Sequence, residues 1–88
     1  MNTAPIYSVT QVNQYIKGLL DRDGALAGLF VRGEISNYKC YPSGHHYFSL
    51  KDAEGAIRCV MFRREAAGLR FRPENGMKVV AFGRVTVF

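Results

Sequence analysis

The run Gly44-His45-His46-Tyr47-Phe48-Ser49-Leu50-Lys51-Asp52-Ala53-Glu54-Gly55-Ala56-Ile57-Arg58-Cys59-Val60-Met61-Phe62 decides the fold. In its first half His46, Phe48 and Leu50 alternate with Tyr47, Ser49 and Lys51. In its second half Ile57, Cys59 and Met61 alternate with Arg58, Val60 and Phe62. A period of two marks half-buried strands. Asp52-Ala53-Glu54-Gly55, between the two halves, reads as a tight hairpin turn. Upstream, Val31, Gly33 and Ile35 share one face of a third alternating run, and Phe30, Arg32 and Glu34 share the other. In this register all three outer faces carry basic residues or aromatics. A slip of one residue would exchange the two sets.

Working outward, Ser8-Val9-Thr10-Gln11 has the form of a helix-capping box, and Tyr7 and Val12 are placed for a hydrophobic staple. Val9, Val12, Ile16, Leu19 and Leu20 fall on one helical face, and the helix is expected to stop between Asp21 and Gly24. A lone amphipathic helix at this position is expected to cover the end of a sheet. Asn37 to Gly44 reads as a loop that offers amide, ring and charge side by side, turned by Pro42 and Gly44. Arg63 to Leu69 is a short helix candidate, broken by the segment around Pro73. Met77 to Phe88 reads as one long strand, bent at Gly83.

The 88 residues suffice for one small domain, with residues 1–7 as a loose lead and 8–88 as the folded part. A chain this short buries roughly 60–65% of its unfolded surface, so a deep catalytic pocket is not expected. A hydrophobic content of 48% excludes a disordered chain. Twelve Lys and Arg against seven Asp and Glu give a formal charge of +5, and eight of the twelve are Arg. Arg forks onto phosphate and stacks on flat rings, so the balance favours a polyanionic partner. Cys40 and Cys59 form no C-x-x-C pair and read as reduced thiols. No apolar run has the length of a membrane span and no signal peptide is visible, so the expected location is the cytoplasm, with no membrane partner.

The order helix, three meandering strands, short helix, bent strand matches a mainly β oligonucleotide-binding (OB-fold) Greek-key barrel. That barrel takes a fifth strand, which this sequence is expected to lack. The strings Ser8 to Lys17, Val31-Arg32-Gly33-Glu34-Ile35-Ser36-Asn37, Ser43 to Asp52, Ile57 to Arg63 and Gly76 to Val80 resemble, in order, motifs of the bacterial exodeoxyribonuclease VII large subunit. The resemblance covers Tyr7 to Phe88. It implies an N-terminal OB-fold domain of a longer subunit that degrades single-stranded DNA. In that family a catalytic domain and a helical region that recruits small subunits follow. The catalytic residues then lie beyond Phe88, so none is assigned here, and no cofactor is expected in this domain. The resemblance also implies a chain cut within its barrel, leaving an open strand edge through which copies could pair.

Single strands are held by a basic groove and by rings that stack on bases. Tyr47 and Phe62 are the stacking candidates; Arg32, Lys51, Arg58 and Arg63 are the phosphate or base-face candidates. Asn37, Lys39 and His45 extend the groove from the loop, and Arg84 lies beside the Gly83 bend. The bland readings are Phe62 folded over the barrel mouth as core and Tyr47 as an exposed packing residue. His45 and His46 are adjacent, so on a strand they point to opposite faces and no metal ligand set results. Cys59 is expected inward, where an apolar setting disfavours its thiolate, and this argues against a Cys/His nucleophile. Two other functions fit the sequence: a subunit-assembly domain, and an anticodon-type barrel that binds RNA.

Overall fold

The computed structural model describes residues 3–88. Its elements are α1 (Val9–Asp21), β1 (Leu29–Cys40), β2 (His46–Lys51), β3 (Ala56–Met61), α2 (Arg63–Ala66) and β4 (Lys78–Gly83). The four strands form one sheet in the order β3-β2-β1-β4. The chain gathers into two compact units: Arg32–Ala81, and the segment up to Val31 together with Phe82–Phe88.

In the Arg32–Ala81 unit, β2 is antiparallel to both β1 and β3. The alternation read from sequence holds. Ile35 lies opposite Leu50, Leu50 opposite Ile57, and Phe48 opposite Cys59. Ile35, Phe48 and Leu50 are the buried hydrophobic residues, each 6% exposed or less. Burying side chains of this size contributes roughly 1.5–3 kcal/mol apiece. Ile57, expected in the core, remains 41% exposed although it shares the face of Leu50. The reason is its place on β3, an edge strand with a neighbour on one side only.

The hairpin turn closes as expected. Asp52 Oδ1 accepts from the backbone N–H groups of Glu54 (3.0 Å) and Gly55 (2.8 Å), and Asp52 N–H donates to the Gly55 carbonyl (3.0 Å). These bonds favour the charged carboxylate and hold the Asp52 pKa below its ordinary 3.8. The turn fixes the β2–β3 register, in which Ser49 faces Arg58 and Tyr47 faces Val60.

The loop expected over Asn37 to Gly44 is mostly strand, because β1 continues to Cys40. The polar composition misled here: the segment contains a β-bulge. Ser36 pairs with Ser49 and Lys39 pairs with Tyr47, so Asn37 and Tyr38 stand against one residue of β2. Asn37 takes φ 51°, a left-handed conformation that asparagine tolerates better than most residues. The extra residue is anchored at Tyr38. Its N–H donates to Asn75 Oδ1 (2.9 Å), and its hydroxyl is 2.7 Å from His46 Nδ1. The actual turn spans Tyr41 to His45. There Gly44, at φ 88°, donates to the Tyr41 carbonyl and Tyr41 donates to that of His45.

The helix α2 is one turn, Arg63–Ala66, shorter than expected. The N–H groups of Gly68 and Leu69 then bond to the carbonyls of Glu65 and Ala66, and the chain leaves helical geometry.

In the other unit, α1 begins at the expected capping box: Ser8 Oγ accepts from Gln11 N–H, and Gln11 Oε1 accepts from Ser8 N–H. Lys17 and Asp21 pair one turn apart, and Thr86 also donates to Asp21. The helix does not bury its apolar face as expected. Val9, Val12, Ile16 and Leu19 are all at least 40% exposed, and no residue of α1 is buried. Its bounds are set locally by cap and charge pair rather than by packing. The strand expected over Met77 to Phe88 is also shorter: β4 ends at Gly83. Past that glycine, the Val85 N–H bonds to the Leu26 carbonyl (2.9 Å) instead of a neighbouring strand. Of the expected lead, residues 1–2 lie outside the described residues; Ile6 is 97% exposed.

Candidate nucleic-acid interface

The outer face of the β1–β2–β3 region is laid out in rows by the register. One row runs Lys39, Tyr47, Val60; the next runs Ser36, Ser49, Arg58; the third runs Glu34, Lys51, Ala56. The bulge matters for the first row. Without it, strict alternation from the outward Ser36 would turn Tyr38 out and Lys39 in. With the bulge, Tyr38 meets His46 on the opposite face and Lys39 stands beside Tyr47.

Four of the expected residues, Asn37, Lys39, Tyr47 and Arg58, line one open groove of about 720 Å³. Tyr41, Pro42 and Ser43 complete its wall. Its two charges, Lys39 and Arg58, are both positive, and no carboxylate lines it. The rings of Tyr41 and Tyr47 meet edge to face, with centroids 5.1 Å apart and planes at 87°. Edge-to-face contact fixes both rings, so each is held for stacking before any ligand arrives. Arg58 is held too: its Nη1 donates to Ser49 Oγ at 2.9 Å. Ser49 is 6% exposed on the central strand, a fixed point for a long, mobile side chain. The remaining guanidinium N–H groups of Arg58 can then serve a phosphate or a base edge.

The other expected residues fall elsewhere. His45, Phe62 and Arg63 form a second cluster where β2 begins and α2 starts. The His45 and Phe62 rings meet at 5.4 Å and 89°, and Arg63 N–H donates to His45 Nδ1 at 2.9 Å. Gly44 packs against the Arg63 stem so closely that a Cβ there would come within 2.7 Å of Cγ. Phe62 is 41% exposed, so it does not fold into the core. Lys51 pairs with Glu34 across the strands at 3.6 Å, which offsets its charge. Arg32 is exposed on β1 and does not line the groove. Arg84 belongs to the other unit.

Ser49 and the wall residues Tyr41, Pro42 and Ser43 were not among the expected site residues. Ser49 could have been found by counting back from the four-residue turn, which sets it opposite Arg58. The two histidines are drawn to different faces, His45 to Arg63 and His46 to Tyr38. Among the described residues, no three of His, Cys, Asp and Glu gather as metal ligands. Burial pushes the Cys59 thiol above its ordinary pKa, and both cysteines are free.

Residues 7–88 match the family described as OB-fold nucleic acid binding domain. The chain belongs to this family. The expected fold class, mainly β with an N-terminal helix and an OB-fold sheet, agrees with that membership. This OB-fold domain is also similar to curated proteins named exodeoxyribonuclease 7 large subunit. It is 51% identical to that of Ruminiclostridium cellulolyticum, over 94% of this chain and 20% of the relative. To those of Clostridium tetani and Clostridium acetobutylicum it is 52% and 54% identical, each over 94% of this chain and 21% of the relative. The expected resemblance is therefore found, and the chain spans about a fifth of the length of these relatives. In the OB-fold domain described here, the groove lies on the outer face of the first three strands of the sheet.

Proposed function

We propose that this chain is a single-stranded DNA-binding module, and that the groove over β1, β2 and the β1–β2 turn is its site. The observation that supports this reading is the joint placement of Arg58, Lys39, Asn37 and the Tyr41–Tyr47 ring pair around one open, carboxylate-free groove. Cations there attract the backbone, and the rings accept the faces of unpaired bases. A duplex hides those faces in its own stack, so an exposed single strand is favoured. The cluster of His45, Phe62 and Arg63 offers a ring and a charge for the strand's continuation. Arg32 contributes positive potential rather than a direct contact, while the charge of Lys51 is offset by Glu34.

We infer that residues 8–88 act as one module of a longer exodeoxyribonuclease VII large subunit in the cytoplasm. On this reading the module itself captures DNA without a cofactor. Phosphodiester hydrolysis and recruitment of small subunits fall to the remaining four fifths of such a protein. Among the described residues no helix is long and apolar enough to cross a membrane.

A second reading, assembly of subunits, is favoured by one observation: β3 and β4 are the edges of an open sheet and can accept a further strand from another chain. Fluorescence anisotropy with labelled single-stranded DNA, duplex DNA and RNA across a salt series separates the readings. Capture of DNA predicts strongest binding to the single-stranded DNA, falling steeply with salt. A preference for RNA would move the site to RNA, and salt-resistant oligomers without nucleic-acid affinity would favour assembly.

A further inference from the structure

Phe30 near the start of β1 and Phe82 near the end of β4 are the most exposed aromatic residues on the described strands, at 73% and 68%. They are not independent surface rings. Their centroids lie 4.9 Å apart with planes at 55°, a tilted contact that fixes each against the other. Gly28 stands beside the pair, and a Cβ at that position would come 3.2 Å from Phe82 Cζ. The bare backbone thus leaves room for the ring. Arg84 lies two residues after Phe82, and its charge acts on Asp21, which is also paired with Lys17.

We propose that the Phe30–Phe82 pair is a second nucleobase-stacking site, distinct from the groove, and that its occupant is an unpaired base of a single strand, with Arg84 facing the adjoining phosphate. The inference rests on the nucleic-acid-binding reading above. An immobilised apolar pair with an arginine two residues along the chain suits a ligand that is flat, apolar on its faces and anionic along its backbone. A nucleotide strand has all three properties.

The test uses the full 88-residue chain and a fluorescein-labelled oligothymidylate of about 25 nucleotides. Phe82→Leu and Phe30→Leu keep the apolar bulk and remove the ring; Phe82→Tyr keeps the ring. Each leucine variant is expected to weaken binding by about 5- to 150-fold, the range for loss of one stacked base. The dependence on salt should be unchanged, because no phosphate contact is lost. Phe82→Tyr should bind like the parent. Photocrosslinking of the parent to an iodouracil-substituted oligonucleotide reads the same contact without mutation, and should yield an adduct on a peptide containing Phe30 or Phe82. If Arg58→Ala weakens binding while both leucine variants match the parent and no adduct maps to either ring, the second site is refuted and the groove stands. If the parent binds no oligonucleotide at low salt, both fall. Affinity of the pair for a protein surface instead would appear as self-association lost in the leucine variants, with DNA binding intact.

Discussion

Replacing Ser49 by alanine isolates the contribution of a pre-positioned arginine. The change removes the hydroxyl that accepts Arg58 Nη1 at 2.9 Å and little else. A hydrogen bond to a charged group contributes about 1.5–3 kcal/mol when well shielded. Arg58 is exposed and can rehydrate, so the loss of fold stability should lie nearer 0.5–1 kcal/mol. The effect on binding arises differently. An arginine side chain carries up to about 2 kcal/mol of rotamer entropy, and the tether to Ser49 has already removed part of it. Freed from the tether, Arg58 must be ordered by the ligand, at a cost of about 1 kcal/mol. Affinity for single-stranded DNA should therefore fall about fivefold in an anisotropy titration. The salt slope should not change, since the charge remains. Arg58→Ala provides the contrast: a larger loss and a slope lower by about one. Ser49→Thr, which keeps a hydroxyl, should recover most of the affinity if its methyl is accommodated. Parent-like binding by Ser49→Ala, or a slope that drops as in Arg58→Ala, would refute the argument that Ser49 acts by orienting the guanidinium.

Two further outcomes follow from the turns and one from the bulge. Gly44→Ala places a Cβ at φ 88° and within 2.7 Å of the Arg63 side chain, so denaturant unfolding should show a loss of about 1–3 kcal/mol. Asp52 has its folded pKa depressed by two backbone N–H donors, so its contribution is complete above the unfolded value near 3.8 and is lost as pH falls through the lower folded value. Thermal melts of Asp52→Asn should accordingly fall less than those of the parent over that acid window. Asn75→Ala removes the acceptor for the Tyr38 N–H (2.9 Å) and should cost about 1 kcal/mol of stability while weakening DNA binding, read by melts and by anisotropy.

The parts of this fold that were legible in the sequence are those fixed by short-range rules. The period-two runs placed Ile35, Phe48 and Leu50 in the core and Arg58 and Tyr47 on the outer face, and the structure keeps that partition. The Ser8–Gln11 box marked the start of α1 because both halves of its hydrogen-bonding pair lie within one turn. What failed depended on distant partners. The apolar stripe of α1 specified a helix, but not what would cover Val9 or Val12. Gly83 was read as a bend within a strand because its neighbours are β-branched or aromatic. The Val85 N–H is instead claimed by Leu26, 59 residues earlier in the chain, and no local pattern announces that bond.

The β1 bulge shows most directly how a long-range contact sets the site. Asn37-Tyr38-Lys39 reads locally as polar loop, and nothing within it says that Tyr38 must turn toward His46. That choice is made by Asn75, 37 residues later, whose side chain accepts the Tyr38 N–H, and by His46 on the neighbouring strand. Once Tyr38 is committed to that face, the inserted residue shifts the alternation, and Lys39 reaches the face that holds Tyr47. The groove thus owes one of its two cations to a bond made on its far side. Asn75→Ala is expected to weaken DNA binding for this reason, although Asn75 does not line the groove. The readout that separates this from general destabilisation is the salt slope. Loss of Lys39 from the face should lower the slope as direct replacement of Lys39 does, whereas partial unfolding would reduce the bound fraction at every salt concentration and leave the slope as it was.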